Sequence, residues 1–158
     1  VIMWIGPKLH LVQYPVRRGE LYNQVIVFKS YNYTPDSDDW GTPEEMDKRF
    51  KGAHPLVNKA LSFIERQIRW PMYDRLPLDN WTRGNITLLG DAAHPMLQYL
   101  AGGGCQALED ASVLADHLLR HEDYHTAFHH YQKGRIPRTA KVQTNARLWV
   151  NFCTSKTH

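Results

Sequence analysis

With 158 residues, 42% of them hydrophobic, the chain carries enough apolar material for an ordinary domain, and five tryptophans beside a 22% charged fraction exclude wholesale disorder. A net charge of +3 on scattered basic residues excludes an electrostatic footprint for nucleic acid. No apolar run is long enough to cross a bilayer, and Cys105 and Cys153 make neither a disulfide framework nor a CxxC zinc pair, so a reducing, cytoplasmic setting without membrane contact is expected.

The chain opens as β. Val1-Ile2-Met3-Trp4-Ile5 is strand-like, entered directly as in a chain joined midway. His10–Val16 and Leu21–Phe28 are rich in β formers, and Arg17-Arg18-Gly19-Glu20 between them supplies a hairpin turn. His10 and Tyr14 are four apart on this strand and share a face.

A loop over Thr34–Gly41 precedes two helices. Thr42-Pro43-Glu44-Glu45 combines a capping box, Thr42 with Glu45, and a proline in the first turn, which predicts a helix to about Lys51. A second is predicted over Pro55–Arg66, with Leu56, Ala60, Leu61, Phe63 and Ile64 on its apolar face. Ile68–Leu78 reads as an extended, proline-punctuated stretch.

The last part carries the chemistry. Asn85–Leu89 is a compact apolar strand ending in Gly90-Asp91, and a loop with Gly102, Gly103 and Gly104 leads into a helix from Gln106 to about Arg120. Ala107, Leu108, Ala111, Leu114, Ala115 and Leu118 mark its expected buried stripe. A further helical region, Asp123 to Trp149, is expected to break or kink near Gly134 and Pro137. A helix N-terminus offers unpaired N–H groups, and glycines allow close approach to them. Asp91 at the strand end can accept hydrogen bonds from hydroxyls. Spacing alone leaves both a ligand site and a plain connecting turn open.

His117, His121, His125 and His129 recur every four residues, with His130 adjacent. Such spacing places neighbours on one helix face, as metal ligands require. Glu122-Asp123 is expected to interrupt the helix between the pairs, and exposed histidines are ordinarily solvated, so no metal site is expected.

Leu89-Gly90-Asp91-Ala92-Ala93-His94-Pro95, followed by Gln106-Ala107-Leu108-Glu109-Asp110-Ala111, resembles the second FAD-binding signature of the single-component (group A) flavoprotein aromatic hydroxylases. The resemblance runs from about Gly6 to about Arg147. It implies that Gly90, Asp91, Pro95, Gly103, Gly104 and Cys105 belong to the cofactor site. Asp91 would bind the ribityl chain, and the amides of Gly104 and Cys105 the pyrimidine edge. Pro95–Ala101 and Gly6–Pro15 are most similar to the 3-hydroxybenzoate 6-hydroxylase branch, with salicylate-type hydroxylases as the alternative. On that resemblance His10 and Gln98 are catalytic, and Tyr14 and Gln98 hold the substrate.

The implied reaction consumes NADH (or NADPH) and O2 and hydroxylates a small hydroxybenzoate-like ring at FAD, with His10 taking the phenolic proton. A homodimer is left open. The implied fold class is α+β, part of an α/β FAD-binding fold. Residues 1–80 would be part of a substrate-binding sheet domain, and 81–158 the C-terminal part of the FAD-binding domain. Gly102 stands where the family usually has Gln or Ser, and Gly104 where it has Ala, which loosens the loop. The family's N-terminal GxGxxG and mid-chain Asp-Gly signatures are not in this sequence. The expectation is therefore a C-terminal portion, inactive alone, with a non-catalytic remnant module as the competing reading.

Overall fold

Alternating apolar residues build the first sheet. In the computed structural model, which describes residues 1–32 and 42–154 (side chains through Val150), β1 (Ile2–Gly6), β2 (Leu9–Val16) and β3 (Leu21–Phe28) form an antiparallel sheet in that order. The loop expected over Thr34–Gly41 lies outside the described residues, as do the surroundings of Cys153. The tight turns use left-handed backbone at Lys8, and at Arg17, Arg18 and Gly19. Opposed residues share a face, so Trp4, Leu11 and Ile26 stand in one row and Leu9 and Phe28 in the next. Helices α1 (Pro43–Arg49) and α2 (Pro55–Leu61) supply Met46, Phe50, Val57, Ala60 and Leu61 to close a core over Leu11. Phe28 and Phe50 meet edge to face at 6.3 Å.

Two expectations change here. Pro43 does open α1 and Thr42 is its N-cap, but the Thr42 side chain makes no capping bond there. Glu45 does not reach back to Thr42 as a capping box requires. It is buried and accepts from the Ser30 hydroxyl, at 2.9 and 3.0 Å, and from the Tyr31 N–H at 2.9 Å, tying α1 to the end of β3. The second helix stops at Leu61 rather than Arg66, leaving Phe63 exposed while Ile64 still packs against the core.

The described chain divides into two compact units, Val1–Pro71 with the residues from Asn151 on, and Met72–Val150. In the second, β4 (Thr82–Arg83) and β5 (Ile86–Thr87) make a two-residue ladder. The strand expected over Asn85–Leu89 is thus shorter. Leu88 donates to Trp81 O, and Gly90 turns the chain with φ +59°. Helix α3 spans Gly103–Arg120 and α4 spans Tyr124–Thr154. Contacts run in reverse order along the pair, Arg135 to Asp110 and Arg138 to Glu109, so the helices are antiparallel. Asp123 caps α4, accepting from the Thr126 N–H and hydroxyl, both at 2.8 Å. Trp81, Ala93 and Tyr131 form the core, and the Tyr131 hydroxyl donates to Leu88 O at 3.1 Å.

The helical region expected to be interrupted or kinked near Gly134 and Pro137 is a single helix, α4, with Pro137 inside it. The stripe on α3 is also displaced. Leu108, Ala111, Ala115 and Leu118 are exposed, and the buried positions are the polar Gln106 and Asp110. With 48% helix and 18% strand the class is α+β. Among the described residues no helix is long and apolar enough to cross a membrane.

Candidate cofactor site

The Gly90–Cys105 segment folds back so that its two ends meet. After the positive φ of Gly90, a single 3-10 turn over Gly90–Ala92 sends the N–H groups of Ala93 and His94 to Gly90 O, both at 2.9 Å. This turn leaves the Asp91 side chain exposed beside the start of α3. A Cβ added to Gly103 would lie 3.8 Å from Asp91 Oδ1 and 3.9 Å from Met96 Cγ. At Gly104 the same atom would meet open space. Gly90 is constrained on its other side, because a Cβ there would sit 3.2 Å from Ala107 Cβ.

Helix α3 begins at Gly103, three residues before the expected Gln106. Its Gly102 N-cap provides no side chain, and its first turn holds no acidic residue. The Gln106 N–H bonds Gly102 O at 2.9 Å, so the N–H groups of Gly103, Gly104 and Cys105 precede the first intrahelical bond. Their partial positive charge faces outward next to the Asp91 carboxylate. The Asp91 carboxylate can accept hydrogen bonds from hydroxyls, and the amides can donate to carbonyl oxygens. Pro95 is half-buried, and its carbonyl accepts from Gln143 Nε2 at 3.1 Å. Cys105 is a free, exposed thiol.

What holds this arrangement was not assigned from sequence. Asp110 is fully buried, and its Oδ2 takes the Gly90 N–H at 3.0 Å and His94 Nε2 at 2.5 Å. Its Oδ1 takes Arg135 Nε at 2.6 Å. Arg135 continues to Gln106 O and Oε1, at 3.1 and 2.9 Å, and to Glu109 Oε2 at 2.6 Å. Arg138 grips both oxygens of Glu109, and these two arginines hold its carboxyl down to about 2. One buried carboxylate thus fixes the Gly-Asp turn against α3 and α3 against α4. The available signal was an Asp recurring four residues after Gln106 on the apolar side of a helix.

Gln98 lies in a 3-10 turn over Gln98–Leu100, exposed, with Nε2 3.6 Å from Met72 Sδ. His10 and Tyr14 belong to the other unit. They stand on the face of β2 opposite the Leu11 core, His10 between Ile5 and Val27, and Tyr14 across from Asn23. His10 is buried, which lowers its pKa, whereas Tyr14 is half-buried.

Residues 4–146 match the family model described as FAD binding domain. Among curated proteins the chain is 42% identical over 146 residues to 3-hydroxybenzoate 6-hydroxylase 2 of Aquipseudomonas alcaligenes, covering 92% of this chain and 46% of that protein. It is 36% identical over 148 residues to 3-amino-4-hydroxybenzoate 2-monooxygenase of Streptomyces cremeus, covering 93% and 36%. Among solved structures, a salicylate hydroxylase substrate complex superposes with TM-score 0.80 at 29% identity, over 98% of this chain and 40% of that one. HpxO of Klebsiella pneumoniae, complexed with FAD and uric acid, gives 0.82 at 27% identity, over 98% and 40%. The chain therefore spans less than half the length of these relatives. Its match over nearly its whole length, on a Gly-Asp turn set against a bare helix N-terminus, shows that it belongs to the FAD binding domain family.

Proposed function

We propose that the chain supplies part of the cofactor site and part of the substrate pocket of an FAD-dependent monooxygenase acting on a hydroxybenzoate-type ring, of the 3-hydroxybenzoate 6-hydroxylase kind. The observation that carries this reading is the meeting of Asp91, Gly103 and the open N-terminus of α3, a cradle that a side chain at Gly103 would begin to fill. When bound, FAD supplies the redox chemistry, passing electrons from NADH to O2 so that one oxygen atom reaches the ring. Asp91 accepts hydrogen bonds from the ribityl hydroxyls. The amides of Gly104 and Cys105 donate to the pyrimidine carbonyls, and Gly90, Pro95 and Gly103 shape the loop around them.

His10 takes the phenolic proton on an imidazole nitrogen. Burial favours its neutral form, so it stands ready as a base at neutral pH. Tyr14, on the same strand face, and Gln98 orient the ring substituents by hydrogen bonding. Two cysteines with an exposed free Cys105 fit a reducing, cytoplasmic setting.

The test grafts this chain in place of the matching segment of the A. alcaligenes enzyme, so that the whole length of a relative is present. The chimera is expected to retain FAD through desalting and to convert 3-hydroxybenzoate to the 2,5-dihydroxy product with NADH. Asp91→Ala should release the flavin, and His10→Ala or Gln98→Ala should keep it while product formation falls. A folded chimera that loses flavin as readily as Asp91→Ala would overturn the cofactor assignment. Turnover of salicylate in preference to 3-hydroxybenzoate would overturn the substrate assignment alone.

A further inference from the structure

Pro95 lies between Asp91, set beside the amides that open α3, and Gln98, the residue proposed to orient the ring. A proline has no N–H, so its carbonyl is the one backbone group of residue 95 that a hydrogen bond can hold. That carbonyl accepts from Gln143 Nε2 of α4 at 3.1 Å. Gln143 is buried, where an unpaired amide is costly, and its NH2 group is directed at this loop. The same nitrogen lies 3.5 Å from Arg75 O, and one turn further along α4 Arg147 Nε bonds Asp74 Oδ2 at 2.7 Å.

The far end of the loop meets the neighbouring residue of α4, since a Cβ on Gly102 would lie 3.6 Å from Val142 Cγ1. Val142 and Gln143 thus lie against the two ends of loop 95–102. Between them the loop holds the Gln98–Leu100 turn and, at Ala101, left-handed backbone with φ +49°. A residue with a β-carbon keeps that conformation only where its surroundings enforce it. The stretch 72–75 flanks the same loop: Gln98 Nε2 is 3.6 Å from Met72 Sδ, and the Arg75 guanidinium donates to Ala92 O.

We propose that Gln143 is a positioning residue for ring hydroxylation: by holding the Pro95 carbonyl it sets where Gln98 stands relative to Asp91 and the α3 amides. This rests on the reading of Asp91 and Gln98 as cofactor and ring contacts. Gln143 acts through the loop backbone and not on the ring. The Gly90 turn that carries Asp91 is held separately, by Asp110. Releasing Pro95 therefore leaves the cofactor contact in place and lets Gln98 drift. With the ring in place, one NADH, one O2 and one proton yield NAD+, one ring hydroxyl and one water. With the ring displaced, the same reactants yield NAD+ and H2O2, and the ring is unchanged.

The experiment compares the chimera with the A. alcaligenes enzyme and its Gln143→Met and Gln143→Glu variants. Gln143→Met, similar in size but without a donor, is expected to keep FAD through desalting while the ratio of H2O2 to hydroxylated ring rises roughly tenfold. A neutral glutamic acid can donate its O–H to Pro95 O, whereas a carboxylate repels that oxygen. Burial raises such a carboxyl, so Gln143→Glu should regain coupling as pH falls from about 8 to about 6, beyond any change in the parent. In the 158-residue chain itself, the amides of residues 96–101 should exchange hydrogen faster in Gln143→Met, with those of residues 111–118 unchanged. A parent chimera that forms no product overturns the reading of the site, and this exchange then decides the inference. A productive parent matched by Gln143→Met in both coupling and loop exchange overturns the inference alone. Should Gln143→Met fail to fold, the pH response of Gln143→Glu decides, and its absence overturns the inference.

Discussion

Asp110 and Arg135 meet at 2.6 Å with their side chains 0% and 5% exposed, and the same carboxylate holds the Gly90 N–H and the His94 ring. Removing the Asp110 carboxylate leaves the buried Arg135 with Glu109 as its remaining ionic partner and strips the Gly90 N–H and the His94 ring of their acceptor, a loss of about 3–5 kcal/mol. Asp110→Ala is therefore expected to lower the unfolding free energy by that order, as read from urea denaturation. Glu109→Ala, at the solvated end of the same network, should cost far less. Equal losses in the two variants would mean that the buried pair is not the anchor of the helix hairpin.

Two glycines of the same loop should respond in opposite directions. Gly90 has φ +59°, and an added Cβ would press on Ala107 at 3.2 Å. Left-handed backbone alone costs a β-carbon about 1–2 kcal/mol, so Gly90→Ala should destabilise by at least that order. Gly104 sits in the first turn of α3 with open space around it. Gly104→Ala should stabilise by up to about 1 kcal/mol through helix propensity. Denaturation midpoints of the two variants check both signs at once.

These contrasts mark how far the sequence could be read. The β2–β3 hairpin and the proline-started helices were legible, because turn chemistry and local periodicity determine them. So was the Gly-Asp strand end followed by a glycine loop and a helix, although that helix opens at Gly103 and not at Gln106. The α3 stripe was misread because apolarity counts Leu108 and Leu118 as interior, whereas α3 buries Gln106 and Asp110 to meet Arg135, a partner 25 residues or more along the chain. Glu45 was misread for the same kind of reason, since Ser30 and Tyr31 offer it three bonds that a capping box cannot match. Pro137 was expected to interrupt or kink α4, yet the helix continues through it, and Arg135, two residues before it, is anchored to Asp110 of α3 at 2.6 Å.

Burial of His10 predicts an acid sensitivity with a definite sign. Its folded-state pKa lies below the ordinary 6.5, through desolvation. As pH falls below 6.5 the unfolded chain takes up a proton that the folded chain resists. The stability contribution is full above 6.5 and is lost as pH falls through the lowered value. Urea midpoints at pH 7 and pH 5 should therefore differ more for the wild type than for His10→Asn. An equal pH dependence in the two proteins would place the sensitivity elsewhere.

Glu109 adds a second, more acidic window. Its hydrogen bonds to Arg138 and Arg135 hold its carboxyl at about 2 against an ordinary 4.5. The contribution is present above 4.5 and is lost as pH falls through about 2, because the unfolded carboxylate protonates first. Glu109 and Arg138 are solvated, so salt screens their part of the attraction. Between pH 4.5 and pH 2 the wild type should therefore lose stability that Glu109→Gln has already lost, and the difference should shrink at high ionic strength. A difference that persisted unchanged in 1 M salt would show that the buried Arg135 arm, not the exposed Arg138 arm, carries the Glu109 interaction.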